Sequence, residues 1–414
     1  MLHRCIVGIR HHGDKNLSIS INPQELPWGN ITFALIPESG RPEIDLVQPS
    51  EWQIVLEGLV NGKVDAVRNL IQAHRPTALR QEPFRFGALL TKTYVAESFP
   101  GGIALDDVEC HHVNDDFSMP PALMPLVKEA CDIVARATPA GKTIVNARQF
   151  APVKIELVQN FDDDTFERLR IWLADSHYDF YTAAAYAEPL ARYDSRFEPL
   201  RQFVDQITEP RIPSPASCSM GTRIMLETKD HRLVICYRSR ECKMNPDMWS
   251  SSANEGVRPI LLKQGVPFNR LLEEAAFRAL ENELRLERSA IDRLLLLSLH
   301  QNAYAQWGAT MFASTQLLFE EVYARAQRAP HRNEHNQIAS LPTELGACGQ
   351  EMLHRGVRWY GGALEAICTV LSWREAGAHN HVTPEGVGRI LATAAKNRII
   401  PCDEINPDFL RLSA

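Results

Sequence analysis

The segment from Asp230 to Leu286 decides the predicted fold. It contains HRLVICYRSR at 231–240, PDMWSSSANEGVRP at 246–259 and RLLEEAAFRALENELRL at 270–286. β-Branched and alternating residues favour a strand in the first run, and turn-forming residues favour a loop in the second. Apolar residues at helical spacing with acidic residues between them predict an amphipathic helix in the third. The predicted order is therefore strand, loop and acidic helix.

Elements of both types are predicted on either side of this segment. GTRIMLETKDHRLVICYRSR at 221–240 predicts a hairpin that turns at Lys229 and Asp230. Thr383 before Pro384 is typical of a helix start, with an N-cap followed by proline at the first helical position. Downstream, the sequence predicts strands at 304–315 and 336–342 and helices at 317–327, 358–372 and 384–396. The fold class predicted for this half is α+β or α/β, with a mixed sheet between helices in an α/β/α sandwich.

The first half of the chain is predicted to form a separate mixed α/β region. Strands are predicted at 5–9, 17–21, 31–36, 87–96, 143–147 and 153–158, and helices at 51–60, 64–74, 121–137 and 162–208. PRIPSPASCSMG at 210–221 is rich in proline and serine, which favours a linker. The predicted organisation is an N-terminal region at 1–209, a linker at 210–221 and a second domain at 222–414.

Composition excludes several classes of protein. With 414 residues, 45% of them hydrophobic and 23% charged, the chain suits a two-domain globular protein. The net charge of -7 makes nucleic acid an unlikely partner, although a local basic cleft is compatible with that total. No apolar run approaches the roughly 20 residues of a membrane span, and the N-terminus lacks a signal-peptide pattern. The nine cysteines show no zinc or disulfide spacing, so we expect a cytoplasmic protein with reduced thiols. A homodimer stays open.

The acidic helix resembles the box of the Nudix hydrolase superfamily, in the C-terminal half only and in degenerate form. The box is a glycine, five residues, a glutamate, seven residues and R-E-U-x-E-E-x-G-U, where U is a bulky aliphatic residue. Four positions of RALENELRL agree with it: Arg278, Leu280, Glu283 and Leu286. Three positions depart from it: Ala279, Asn282 and Arg285. Gly256 matches the box glycine if an insertion follows it, whereas Gly265 leaves the spacing one residue short.

The resemblance implies metal-assisted hydrolysis of a nucleoside diphosphate-linked small molecule. In the family, carboxylates of this helix hold Mg²⁺ or Mn²⁺, so Glu283 is the expected catalytic residue and metal ligand, with Asn282 as a second ligand. A late glutamate of the family binds metal or acts as a base. Glu334, with His331 and His335 beside it, is the corresponding candidate.

The resemblance also implies residues that would bind the substrate. Arg238 and Arg240 end the strand before the loop, where arginines of the family approach phosphates, and Arg278 lies in the box. Trp249 on the predicted loop is placed to stack on a base. Each has a structural alternative: solvated charges at a strand end, a tryptophan that packs on the core, or an ion-pair ladder along the helix surface formed by Glu274, Arg278 and Glu281.

Two other functions stay open beside hydrolysis. Because Glu283 alone is kept of the three box glutamates, the same fold is also compatible with a catalytically inactive nucleotide-binding or regulatory module. In the third alternative, residues 1–210 carry the chemistry and the second domain is structural.

Overall fold

The computed structural model describes residues 7–12, 16–21, 83–116, 120–137, 148–159, 166–207, 219–242, 244–302, 304, 306–376 and 383–402. The chain divides into two compact units, Met1–Arg80 with Leu157–Glu167, and Gln81–Glu156 with Arg168–Ala414. In the first unit, β1 (Val7–His12) and β2 (Asn16–Ile21) form an antiparallel pair. The predictions for 31–36, 51–60, 64–74 and 143–147 lie outside the described residues.

The remaining strands are β3 (Arg85–Phe86), β4 (Leu89–Leu90), β5 (Thr93–Ala104), β6 (Val108–Asp116), β7 (Arg148–Gln159), β8 (Phe166–His177), β9 (Ser219–Glu227), β10 (Arg232–Arg238), β11 (Trp249–Ser250), β12 (Ala253–Gly256), β13 (Arg293–Asn302), β14 (Gln306–Ser314), β15 (His335–Pro342), β16 (Arg358–Tyr360) and β17 (Ile400–Cys402). The described α-helices are α1 (Met124–Ala137), α2 (Tyr178–Tyr193), α3 (Glu198–Ile207), α4 (Ile260–Lys263), α5 (Leu271–Leu284), α6 (Phe319–Ala326), α7 (Leu345–Arg355), α8 (Gly361–Ala376) and α9 (Pro384–Ala394). No helix among these described residues is long and apolar enough to cross a membrane.

A mixed ten-stranded sheet forms the centre of the second unit. Its strands follow the order β17-β16-β11-β10-β9-β14-β13-β5, while β12 pairs with β9 and β15 pairs with β10. β14 runs parallel to β9, and β16 runs parallel to β11 and β17, whereas β10 and β15 are antiparallel. The predicted fold class, a mixed sheet flanked by helices, is confirmed.

The two faces of this sheet carry different helices. On β9, Met225 belongs to the hydrophobic core that includes Leu364 and Ile367 of α8. On β10, Ile235 belongs to the same core, so the side chain of Cys236 points to the opposite face. There, burial and the negative charge of Glu283 on α5 raise the pKa of the Cys236 thiol. The sheet therefore lies between α8 and α5.

A buried ion pair joins the sheet to α8. The guanidinium of Arg223 on β9 lies 3.4 Å from the carboxylate of Glu365, and both side chains are buried. It also donates to the carbonyl of Gly362 at 2.8 Å and to the hydroxyl of Tyr360 at 2.8 Å. Because a Cβ at Gly362 would collide with this guanidinium, glycine is required at the start of α8.

Hydroxyl groups from three elements complete the surroundings of Glu365. Ser298 on β13 and Thr310 on β14 each donate to its carboxylate at 2.9 Å, and Thr369 donates from the next turn of α8 at 3.0 Å. These hydrogen bonds replace those that the carboxylate would make with water, which lowers the cost of burying it. The neighbouring His300 is held neutral, because burial and the positive charge of Arg223 lower its pKa.

The organisation of the chain differs in part from the predicted one. β5, which precedes the predicted linker, pairs with β13 in the central sheet, and Ser219–Gly221, the end of that linker, belong to β9. Residues 81–156 belong to the same compact unit as the C-terminal residues.

The helix predicted at 162–208 is wrong over 166–177, which is β8, and agrees with α2 and α3 after it. In β8, Leu169, Ile171 and Leu173 are buried at alternate positions, which is the period of a strand.

The later elements agree more closely with the sequence. The hairpin at Lys229 and Asp230 forms, and the predicted acidic helix is α5 with a short 3₁₀ turn before it. Thr383 caps α9 by accepting the N–H of Gly386 at 3.1 Å, as predicted. β13 was not among the predicted strands, because its continuous apolar run lacks alternation.

We expect Glu365→Gln to destabilise the protein strongly. The change leaves the Arg223 charge buried without its counter-ion, which typically costs about 3–5 kcal/mol. Chemical denaturation measures the free energy of unfolding, and Glu281→Gln on the exposed side of α5 is the matched control, for which we expect almost no change. Equal stability of the two variants would contradict the role assigned to Glu365.

Candidate functional site

Helix α5 positions the residues that match the family box. Leu271, Leu272, Ala275, Ala276 and Leu280 are buried on its inner face, as the helical spacing of apolar residues predicts. The helix ends at Arg285, which adopts the left-handed conformation with φ 55°. Glycine usually occupies this position because it has no Cβ. Arg285 occupies the position of the last glycine of the box. The backbone therefore makes the same left-handed turn there although the residue is an arginine.

Glu283 is held at both of its carboxylate oxygens. Oε1 accepts the backbone N–H of Asn254 at 2.7 Å, and Oε2 lies 2.6 Å from Nε2 of His335. The residue is 2% exposed. These contacts connect α5 to β12 and to the first residue of β15. Glu283 is thus a buried structural junction of three elements.

A second glutamate, Glu255 on β12, lies among the other box positions. Its Oε2 lies 3.3 Å from Nδ2 of Asn282 and 3.5 Å from Nε of Arg278. Its Oε1 accepts the backbone N–H of Gly256 at 3.1 Å and pairs with Arg258. The sequence predicted no role for Glu255, and its position directly before the matched glycine was the available signal. We call Glu255, Arg278, Asn282, Glu283 and His335 the α5 site.

Glu334 lies at the solvent-exposed side of the α5 site. Its side chain is 48% exposed, and its Oε1 lies 3.4 Å from Nδ1 of His331. The pKa of Glu334 is raised, mainly because the surrounding protein displaces water from its carboxylate. The negative charge of Glu283 raises it further. The role of Glu334 as a metal ligand or base stays a prediction.

The residues predicted to bind substrate lie in different environments. Arg240 is exposed, with Nε 3.9 Å from Oδ2 of Asp247, and Arg238 donates from Nε to the carbonyl of Met244 at 3.1 Å. Trp249 lies on β11 and is 2% exposed, with its indole N–H donating to the carbonyl of Arg355.

Trp249 therefore packs in the core, which was the structural alternative to stacking on a base. Its ring stacks on Trp359 at 5.9 Å between centroids, and no open face is left for a base. The surface ladder is also not formed as predicted, because Arg278 lies beside Glu255 and Glu274 pairs instead with Arg288.

The residues matched to the box do not fit Mg²⁺ or Mn²⁺ as they are arranged. Mg²⁺ keeps several water ligands, whereas Glu283 is almost fully buried and both of its oxygens already accept hydrogen bonds. The amide of Asn282 is directed to Glu255. In the described ranges, no group of three or more His, Cys, Asp or Glu side chains is arranged to hold a metal ion. We derive no chemical step through a metal.

Comparison with known proteins leaves the family undecided. No protein-family model matches the chain, and no curated protein matches it. Among solved structures, the chain is similar to DR0079 from Deinococcus radiodurans, with 16% identity over 34% of this chain and 75% of that chain, and a TM-score of 0.25. A likeness with so low a TM-score carries no argument about fold or function.

We expect Glu334→Gln to stabilise the protein at neutral pH. A raised pKa in the folded state means that the folded protein disfavours the charged carboxylate, so this group lowers stability as the pH rises above its ordinary value of 4.5. Below that pH, wild type and variant should melt at similar temperatures, and above it the variant should melt higher. Thermal melting across this range, with Glu320→Gln on α6 as the exposed control, tests the expectation. A variant that melts lower at neutral pH would contradict it.

Proposed function

We propose that the domain containing α5 is a Nudix-like module that binds a nucleoside diphosphate-linked small molecule without hydrolysing it. The observation that carries this proposal is the position of Glu283, buried and engaged at both oxygens by Asn254 and His335. A carboxylate that holds three elements together is costly to withdraw for chemistry. The positions of α5 that agree with the family box support a nucleoside diphosphate-linked ligand. The positions that depart from the box support the loss of hydrolysis.

The exposed arginine at the end of β10 supports the binding of phosphate groups. Arg240 exposes 77% of its side chain, and its contact with Asp247 is long, at 3.9 Å. A guanidinium suits a diphosphate because it can form two parallel, charge-assisted hydrogen bonds with it. Arg238, two residues earlier, is half-buried and donates to the carbonyl of Met244, so Arg240 is the better placed of the two.

Hydrolysis is the second candidate function, and Glu334 is the observation that favours it. This carboxylate is partly exposed, lies near Glu283 and has a raised pKa, which is the condition that suits a general base near neutral pH. A cytoplasmic location and a homodimer stay predictions from the sequence.

Calorimetric titration with ADP tests binding. Release of phosphate from ADP and of AMP from ADP-ribose, each with Mg²⁺ or Mn²⁺, tests turnover. We expect saturable binding of ADP without measurable release of phosphate or AMP. Turnover that Glu283→Gln abolishes would overturn the non-hydrolysing proposal in favour of the hydrolase. Absence of any binding would overturn both.

We expect Arg240→Gln to weaken ADP binding about three- to tenfold, because one charge-assisted hydrogen bond is worth roughly 1 kcal/mol at an exposed site. Arg328→Gln, which removes an exposed charge after α6, is the control and should leave the affinity unchanged. The same loss in both variants would indicate an effect of net charge and would contradict a specific contact by Arg240.

A further inference from the structure

One face of the three-stranded sheet β6-β8-β7 carries cations around an aromatic ring. On β8, the buried side chains alternate along the strand and are Leu169, Ile171 and Leu173. The residues between them, Arg168, Arg170 and Trp172, therefore point to the opposite face, which we call the outer face. On the buried face, Cys110 of β6 contacts the backbone of Leu272 in α5. The outer face is thus directed away from α5 and is separate from the α5 site.

The indole of Trp172 lies at the centre of the outer face, between a ring and a cation. His111, its register partner on β6, stacks on it with ring centroids 5.2 Å apart and ring planes at 24°. The ammonium of Lys154 on β7 lies 4.3 Å from the centroid of the indole. Because β8 lies between β6 and β7, His111 and Lys154 approach the indole from neighbouring strands on either side. The side chain of Lys154 is 57% exposed, so the ammonium can move away into solvent.

The cations of the outer face are held by few carboxylates. Glu109 on β6 accepts Nη1 of Arg168 at 2.6 Å, and its other oxygen lies 3.5 Å from Nε of Arg170. One carboxylate thus serves two guanidinium groups. Lys154 contacts Glu156 at 3.8 Å, which is too long for a hydrogen bond. Because exposed ion pairs contribute little to stability, these three cations can turn to another anion at small cost.

We propose that the outer face binds single-stranded nucleic acid, with a base on Trp172 and phosphates on Lys154, Arg168 and Arg170. An aromatic ring among cations on a sheet suits such a strand, because every base has a ring face and every linkage carries a negative charge. A base that stacks on an aromatic ring binds more strongly than an exposed ammonium over the same ring. A base can therefore replace Lys154 over the indole and leave the ammonium to a phosphate.

Charge complementarity is local to this face. The net charge of -7 disfavours nucleic acid as a partner of the surface as a whole. On the outer face, three cations, Lys154, Arg168 and Arg170, are in contact with two carboxylates, Glu109 and Glu156. The excess of positive charge lies around the aromatic ring, which favours a strand that presents bases and phosphates together.

Fluorescence anisotropy of a labelled oligothymidylate of about 15 nucleotides, titrated with the full chain, tests the inference. Wild type should bind the single strand saturably, more weakly as salt is raised, and at least about tenfold more tightly than a duplex of the same length. Trp172→Ala should weaken binding about tenfold, whereas Trp172→Phe, which keeps an aromatic ring, should retain most of the affinity. Thermal melting shows whether each variant is folded.

Arg168→Gln should weaken binding of the single strand about three- to tenfold and reduce its salt dependence, because one phosphate contact is lost. Arg192→Gln is the matched control, since Arg192 is also an exposed arginine in an ion pair, with Glu188 on α2. It should leave the affinity unchanged. The same loss in both variants would indicate a general effect of charge and would overturn the outer face as the binding site.

Two further measurements separate this inference from the proposed function. Excess ADP should not displace the oligothymidylate, and Trp172→Ala should bind ADP like wild type. Displacement by ADP would place the strand at the α5 site and overturn the inference. No binding of the single strand by wild type, equal affinity for the duplex, or an affinity that Trp172→Ala leaves unchanged would also overturn it, while the proposed function stands or fails by its own titration with ADP.

Discussion

The burial of the Arg223–Glu365 ion pair is the constraint on which the rest of the second unit depends. Two charges withdrawn from water are tolerated only where hydrogen bonds surround them, and here β9, β13, β14 and α8 each supply a partner. These contacts depend on the register in which the strands and the helix bring their side chains together. The ion pair and its partners therefore fix the sheet beneath α8 and, through β9 and β10, the opposite face on which α5 packs.

On that opposite face, the residues matched to the box form contacts that differ from those the resemblance implies. Glu283 is kept, but it bonds to Asn254 and His335 instead of facing solvent. Glu255 on β12 contacts the remaining polar residues, which are Arg258, Arg278 and Asn282.

Sequence alone predicted the elements whose period is clear. The hairpin at Lys229, the acidic helix and the cap at Thr383 follow from local rules of turns, amphipathic spacing and helix termini. β13 was missed because both of its faces are buried, so its apolar run has no period. β8 was assigned to a helix because its charged and apolar residues suit either element over a short window.

For the site, the sequence singled out Glu283 and Glu334 as candidates, but it predicted the partners of neither. The contacts of Glu283 with Asn254 and His335 span 29 and 52 residues along the chain. These contacts depend on the pairing of β12 with β9 and of β15 with β10, which no local sequence pattern predicts. The burial of Trp249 arises in the same way, since it depends on the parallel pairing of β11 with β16.

The closeness of Gly308 to His300 has a consequence for the natural variation of this chain. A Cβ at position 308 would overlap the imidazole of His300, which lies directly across the strand pair β13–β14. The size of the side chain that fits at either position therefore depends on the size of the other. A larger residue at position 308 would displace the imidazole of His300 from its contact with Thr310, whereas a smaller residue at position 300 would leave room for it.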